Sequence, residues 1–291
     1  MRSLGVKIFA SRWTLIKLSI FLCVLLLASC NAAKFVPEGR YLLNRASVKI
    51  EDTKAVAASD LDNYLQQKQN TEILGFWKLQ LGLYNTASLD TTKWTSRNAR
   101  KIGEPPVVFS PELADRSVVQ LQKAMQNKGF FNALVDTTMK VKDRKLDITY
   151  TIKAGKPYII RRYYVDIQQK ELKQIAENQR YSLVHEGMQF DVDVLNQERQ
   201  RIARAMRRNG CFYFSEDLIQ FMVDSTQSKR MLNVTVCLQD YVQQMSPKER
   251  EQIFRSYTIN RVYFHMDYEP GRVPDGELVQ SSMQDGYEFT W

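Results

Sequence analysis

Apolar residues at Ala114, Val118, Leu121 and Met125 recur at helical spacing behind Phe109-Ser110-Pro111-Glu112, and the run stops at Asn127-Lys128-Gly129. The spacing predicts one amphipathic helix. Ser110 is its N-cap, Pro111 takes the first helical position where a missing N–H costs nothing, and Gly129 takes the left-handed turn that ends it. Beyond Gly129-Phe130-Phe131 the period falls to two. Ala133, Val135, Thr137, Met139 and Val141 alternate with polar neighbours, Lys142-Asp143-Arg144 turns the chain, and Leu146 to Ile152 runs back. The unit is a helix followed by a β-hairpin.

Displaced by 81 residues, the pattern returns: Phe190 falls on Phe109, Asp191 on Ser110, Leu195 on Ala114, Ile202 on Leu121, Met206 on Met125 and Gly210 on Gly129. Phe190 is placed to staple onto Leu195 one turn later. The second hairpin is Leu218 to Asp224, a turn near Gln227-Ser228, and Leu232 to Leu238 with Leu232, Val234, Val236 and Leu238 inward. A further pattern, Tyr41-Leu42-Leu43-Asn44-Arg45 to Val48, recurs from Tyr158 to Val165 and from Tyr257 to Phe264. These are three first strands.

Between first strand and hairpin helix each complete unit holds another helix. In the first, Ser59-Asp60-Leu61-Asp62 reads as a capping-box-like start with Leu61, Tyr64 and Leu65 on one face; in the second, Leu172, Ile175 and Ala176 share a face. The order β-α-α-β-β is thus written twice. It predicts an α+β fold of tandem modules, each a three-stranded sheet with two helices on one face. The first copy carries an aromatic-rich insertion, 71–108, which is either a flap over its own module or an exposed contact surface.

Residues 1–29 stand apart: four basic residues and no acidic one, the apolar run Leu18 to Leu27, then Ala28-Ser29-Cys30. This is an export signal, too short for a comfortable span, and Leu27-Ala28-Ser29-Cys30 resembles the bacterial lipoprotein box. Cys30 is the expected lipidation site, so a covalent N-terminal lipid is the one non-protein group, with no cofactor and no metal. Cleavage before Cys30 leaves 37 basic against 32 acidic residues, a net charge of about +5. Export makes nucleic acid an unsuitable partner, and the remaining charge reads as solubility or affinity for anionic head groups. Asn31-Ala32-Ala33 does not look like an inner-membrane retention signal, which places the chain on the periplasmic face of the outer membrane, held by lipid. For Cys211 and Cys237 the compartment permits a bridge, whereas Cys211 behind a helix terminator and Cys237 on a polar strand face, with a register nearer Leu218, favour two free thiols.

Repeated β-α-α-β-β units whose helices end in Gly plus an aromatic resemble POTRA domains, the polypeptide-transport modules of the BamA/TamA family of outer-membrane assembly factors. The likeness rests on Glu186-Gly187-x-x-Phe190-Asp191, the helix from Val194 and Asn209-Gly210; the lipobox, Phe76-Trp77 and Lys101-Ile102-Gly103-Glu104-Pro105-Pro106 are similar to its lipoprotein, TamL-like branch. The implied organisation is a signal peptide at 1–29, a lipidated tether at 30–40, modules at 41–156 and 157–241, a linker helix at 242–256 and the start of an incomplete third module at 257–291. Family members continue into a membrane β-barrel; here 34 residues follow Tyr257, so the chain reads as the N-terminal part of a longer protein or as one that has lost its barrel.

The resemblance implies non-covalent work: binding unfolded outer-membrane proteins, or docking to an inner-membrane partner of the TamB type. An exposed strand edge suits the first, because main-chain hydrogen bonds capture an extended peptide whatever its side chains. The expected edges are Ala133, Val135, Thr137, Met139 and Val141 in the first module and Leu218, Gln220 and Met222 in the second, unless Lys140 and Asp224 blunt them. Phe76, Trp77, Arg204 and Arg208 form a second candidate surface, although the arginines around Glu198 also read as ordinary solvated charge. The rival class is a barrel-less structural or glycan-binding surface lipoprotein using Trp77 and Trp94 as a stacking platform. His185 and His265 lie in no nucleophile elbow, phosphate loop or metal-spaced cluster, so no catalysis is expected.

Overall fold

The computed structural model describes residues 32–75, 77–88, 92–178, 180–225, 230–260, 281–284 and 287–290. Cys30, Phe76, the turn at Gln227-Ser228 and most of the last first-strand copy lie outside them. The chain divides into two compact units, one running to Tyr158 together with Gln189–Val192, the other comprising Ile159–Met188 and the chain from Asp193.

The first unit contains β1 (Leu42–Ile50), a one-turn α1 (Ala58–Leu61) continued by a 3₁₀ turn at Asp62–Tyr64, α2 (Leu79–Asn85), α3 (Trp94–Ile102), α4 (Pro111–Asn127), β2 (Leu134–Lys142) and β3 (Lys145–Lys153). Its sheet has the order β1-β3-β2, with β1 parallel and β2 antiparallel to the central β3. Leu146, Ile148, Tyr150 and Ile152 of β3 all point into one core shared with Leu61, Leu65, Leu121 and Met125, so the helices cover a single face. Ser110 caps α4 by accepting from the Leu113 N–H, Pro111 opens it, and Gly129 closes it at φ +86°. Only glycine fits there, because a Cβ would stand 2.5 Å from the Phe190 carbonyl oxygen.

The second unit repeats the plan: β4 (Ile159–Asp166), α5 (Lys170–Glu177), α6 (Val192–Arg208), a 3₁₀ turn at Glu216–Leu218, β5 (Ile219–Asp224) and β6 (Met231–Leu238), with sheet order β4-β6-β5. Leu172, Ile202, Met206, Ile219 and Val236 form its core, and Gly210 repeats the terminator at φ +92°. The α+β fold of two three-stranded, POTRA-like modules is the observed one.

Several local expectations are corrected. The first helix begins at an Ala57 N-cap with no side-chain bond, so Ser59-Asp60-Leu61-Asp62 is not a capping box, and Tyr64 turns outward while Leu61 and Leu65 are buried. Residues 242–256 are two helices, α7 (Asp240–Gln244) and α8 (Pro247–Phe254), rather than one. They are also core rather than linker: Val242 is buried, and Met245, Ile253 and Phe254 pack on the second core. A capping box stands instead at α8, where Ser246 and Glu249 exchange bonds. Tyr257–Asn260 is not a strand; a short hairpin, β7 (Ser281–Gln284) with β8 (Tyr287–Thr290), lies near the end. Phe190 and Leu195, the expected staple pair, are both buried, and the Phe190 ring also packs on Phe131 with centroids 5.4 Å apart.

Candidate functional site

The two edges of each sheet are treated differently. At β1, the Phe109 N–H donates to the Tyr41 carbonyl and the Leu43 N–H to the Val107 carbonyl, both at 2.8 Å, and the Gln69 side chain accepts from the Ala46 N–H at 3.0 Å. At β4, the Ile160 N–H donates to Met188 and the Gly187 N–H to Ile160, again at 2.8 Å. A short returning segment therefore closes the start of each first strand. At the other edge, β2 and β5 pair with β3 and β6 respectively and with no other strand among the described residues. Alternate N–H and C=O groups of such a strand face outward and are available to a further strand.

The core-facing row of β2 runs Val135, Thr137, Met139, Val141, opposite Ile152, Tyr150, Ile148 and Leu146 of β3. Val135 packs on the core, whereas Met139 and Val141 are 46% and 52% exposed although their partners Ile148 and Leu146 are buried. The helical layer thus leaves an apolar shelf beside the open edge. Lys140, opposite Asp147, lies on the other, polar face and does not block it. In the second unit the corresponding row is Phe221 and Val223, opposite Val236 and Val234. The Arg199 guanidinium stands 5.7 Å from the Phe221 ring centroid, Val223 is exposed, and Met222 projects from the other face, also exposed. Gln220 pairs with Cys237.

Two expected edge residues do not belong to the open edge. Ala133 precedes β2, its N–H donates to the Phe130 carbonyl, its carbonyl accepts from Gln122, and its methyl is in the core. Leu218 ends the 3₁₀ turn, with its N–H on Ser215 and its carbonyl taken by the Gln239 N–H. Turn bonds take both N–H groups, and the Gln122 side chain and the Gln239 N–H take the two carbonyls, so neither backbone is left for a client.

Arg204 and Arg208 are exposed and line an open cleft of about 640 Å³ with Ile175, Tyr181 and Leu183. Glu198 is not part of a solvated charge array. Its carboxylate is fully buried, accepts two 2.8 Å bonds from Arg201, and also receives the Ser182 hydroxyl at 3.1 Å and the Leu183 N–H at 3.0 Å. The residue 81 earlier, Ser117, is also fully buried and receives the Gln66 N–H at 2.9 Å. Each unit therefore uses one helical position to pin the loop after its first helix. A tyrosine approaches each pin: Tyr150 reaches Ser117, and burial together with the nearby Glu198 carboxylate raises the Tyr163 phenol above its ordinary range. The arrangement had one sequence signal: Glu198 lies between Leu195 and Ile202 on the apolar face of α6.

Insertion 71–108 covers the expected tether. Ala33 and Val36 are buried with Leu42 and Leu81, the Asn85 amide donates to the Ala32 carbonyl, and Arg144 donates to the Val36 and Pro37 carbonyls. Lys34 donates to the carbonyls of Asn85 and Ala87, and Phe35 packs edge-on against Tyr84 with the Arg100 guanidinium over its ring. Residues 32–37 are thus docked instead of loose. Lys78 ties the insertion to Asn44 of β1, and Trp77 is exposed beyond a tight turn closed on Ile73. Cys211 and Cys237 are both buried free thiols whose ionisation burial disfavours; Cys237, read as facing polar surroundings, is enclosed instead. Among the described residues no group of three or more His, Cys, Asp or Glu could hold a metal ion.

Residues 45–155 match the family model POTRA, described as surface antigen variable number repeat. No curated protein matches. Among solved structures, the chain is similar to POTRA domains 3–5 of BamA from Haemophilus influenzae, at 13% identity over 71% of this chain and 100% of that one, with a TM-score of 0.28. It is also similar to the N-terminal domain of Omp85 from Thermosynechococcus elongatus, at 14% identity over 69% and 63% with a TM-score of 0.30. CdiB from Escherichia coli matches at 7% identity over 71% of this chain and 28% of that one, with a TM-score of 0.26. The chain therefore spans less than two thirds of the cyanobacterial domain and under a third of CdiB. At these scores the likenesses carry no argument about the site.

Proposed function

We propose that this chain is the periplasmic, lipid-anchored arm of an outer-membrane assembly factor of the TamL type, and that it binds unfolded outer-membrane proteins by strand addition at β2 and β5. The observation that carries the reading is the asymmetry of the sheets: a returning segment closes the starts of β1 and β4, while among the described residues no further strand covers β2 or β5, which lie beside exposed apolar side chains. An extended client with alternating apolar residues would extend the ladder through its backbone and rest alternate side chains on Met139 and Val141. Such recognition tolerates many sequences, as an assembly factor for varied barrels requires. Acylation at Cys30 would hold the arm on the periplasmic face of the outer membrane, and an inner-membrane partner of the TamB type would meet it across the periplasm.

Hydrogen exchange with and without an unfolded barrel-strand peptide tests the reading. Alternate amides within Val135–Val141 and Gln220–Val223 should gain protection, those at the closed starts of β1 and β4, Leu43 and Ile160, should not change, and Met139→Asp/Val141→Asp should weaken the gain in the first unit alone. Unchanged β2 and β5 amides at saturating peptide would sink strand addition.

A further inference from the structure

The exposed half of α3 is composed for a membrane surface. Trp94, Arg97 and Lys101 fall at helical spacing on one stripe with Ile102 beside it, and all four are exposed, Trp94 at 70% and Ile102 at 67%. The opposite half, Ser96, Ala99 and Arg100, turns inward: Ser96 and Ala99 are buried, and Arg100 donates to the Ser88 carbonyl and stacks on Phe35. From Thr92 to Gly103 the chain holds Lys93, Arg97, Arg100 and Lys101 and no acidic residue. Glu72 and Glu104, the acidic residues described in the rest of the insertion, are engaged by Lys78 and by the Thr71 N–H. A water-facing surface normally mixes charge signs with few large apolar groups. Tryptophan and isoleucine among cations instead match the boundary between anionic head groups and acyl chains.

Position favours the same occupant. The docked segment 32–37 leads directly to α3, because Phe35 lies under Arg100, and Cys30 is three residues before the buried Ala33. Three extended residues span about 10 Å. A lipid on Cys30 would therefore be attached almost without slack, and α3 would lie within reach of the same leaflet. We infer that α3, through Trp94, Ile102, Lys93, Arg97 and Lys101, is a second membrane contact that seats the first unit on an anionic phospholipid surface. This rests on the lipid-anchor reading above. A lipid on Cys30 fixes only the end of the chain, and a basic interfacial patch supplies the second contact that sets how the first unit lies on the surface.

The test uses the full chain isolated from membranes and reconstituted into vesicles of phosphatidylethanolamine and phosphatidylglycerol carrying brominated acyl chains. Labelled fatty acid on Cys30 is measured separately. Subtracting the Trp94→Phe protein isolates the Trp94 emission, which should be quenched; Arg97→Glu/Lys101→Glu should abolish that quenching while acylation and far-ultraviolet dichroism stay unchanged. Vesicles of phosphatidylcholine alone should quench Trp94 less. Unquenched Trp94 in an acylated protein overturns the membrane contact and leaves the anchor standing, the result expected if this face meets a protein instead. Equal quenching in both vesicle types, unaffected by charge reversal, overturns the anionic specificity. Absence of fatty acid on Cys30 overturns the anchor and the inference built on it.

Discussion

Ser117 and Glu198 occupy the same place in the two units, 81 residues apart, and solve the same problem with different chemistry. Both lie on the buried face of the long helix and both receive a backbone N–H from the loop after the first helix, Gln66 in one case and Leu183 in the other. Serine does this with a hydroxyl that also donates to the Leu113 carbonyl of its own helix, and needs no counterion. Glutamate brings a charge, and with it Arg201, whose guanidinium further donates to the Ile175 carbonyl. The tyrosine beside the pin has changed strands as well, from central β3 in the first unit to outer β4 in the second. What the repeat preserves is the register of a polar group under the loop; the residue that fills it is free to vary if its neighbours vary too.

The largest expected effect separates the two solutions. Glu198→Ala removes one partner of a buried ion pair and strands the Arg201 charge and the Leu183 N–H, so urea unfolding of the second unit should show a loss of about 3–5 kcal/mol. Adding Arg201→Leu should return part of it; no recovery would mean that loop pinning, and not the stranded charge, dominates. Ser117→Ala should cost less, about 1–2 kcal/mol, because the groups that lose their partner, the Gln66 N–H and the Tyr150 phenol, are both neutral. Equal losses for the two alanine variants would erase the distinction between charged and neutral pins.

The smallest effect is confined to acid. Asp52 accepts the Ala154 and Gly155 N–H groups at 2.8 Å each, and those two bonds, Gly155 first, hold its carboxyl below the usual 3.8. A lowered folded value means that the stabilisation is complete above the unfolded value and fades as pH falls through the folded one. Asp52→Asn should therefore flatten the acid limb of the first unit's stability below about pH 4 and leave the second unit's limb unchanged. An unaltered limb in thermal melts across that range would remove Asp52 from the account.

The frame was legible because its punctuation is local. Pro111, Gly129 and Gly210 impose backbone conformations through their own covalent chemistry, and the change from helical to alternating spacing marks each hairpin. What was not legible depended on partners distant in sequence. Glu198 reads as one more charge in an arginine-rich stretch until Ser182 and Leu183 are brought over it. Ala33 and Val36 show no periodicity, and their burial needs Leu81 and Leu42. At the candidate edge, spacing located the strands to within a residue or two, but not the bonds from Gln122 and Gln239 and the turn bonds that withdraw Ala133 and Leu218 from them.

The first strands, closed only at their starts, also bear on how the chain folds. β1 finds its parallel partner about a hundred residues later, Leu42 against Lys145, whereas β4 waits about seventy, Ile159 against Met231. In closure entropy the difference is only about 0.3 kcal/mol, so the insertion is nearly free at equilibrium. In time it is not, since pairings distant in sequence form late and leave strands unguarded meanwhile. Until the Tyr41–Leu43 backbone meets Val107–Phe109 it is itself a sticky edge, so the first unit should be the slower folder and the one that most needs protection while it folds.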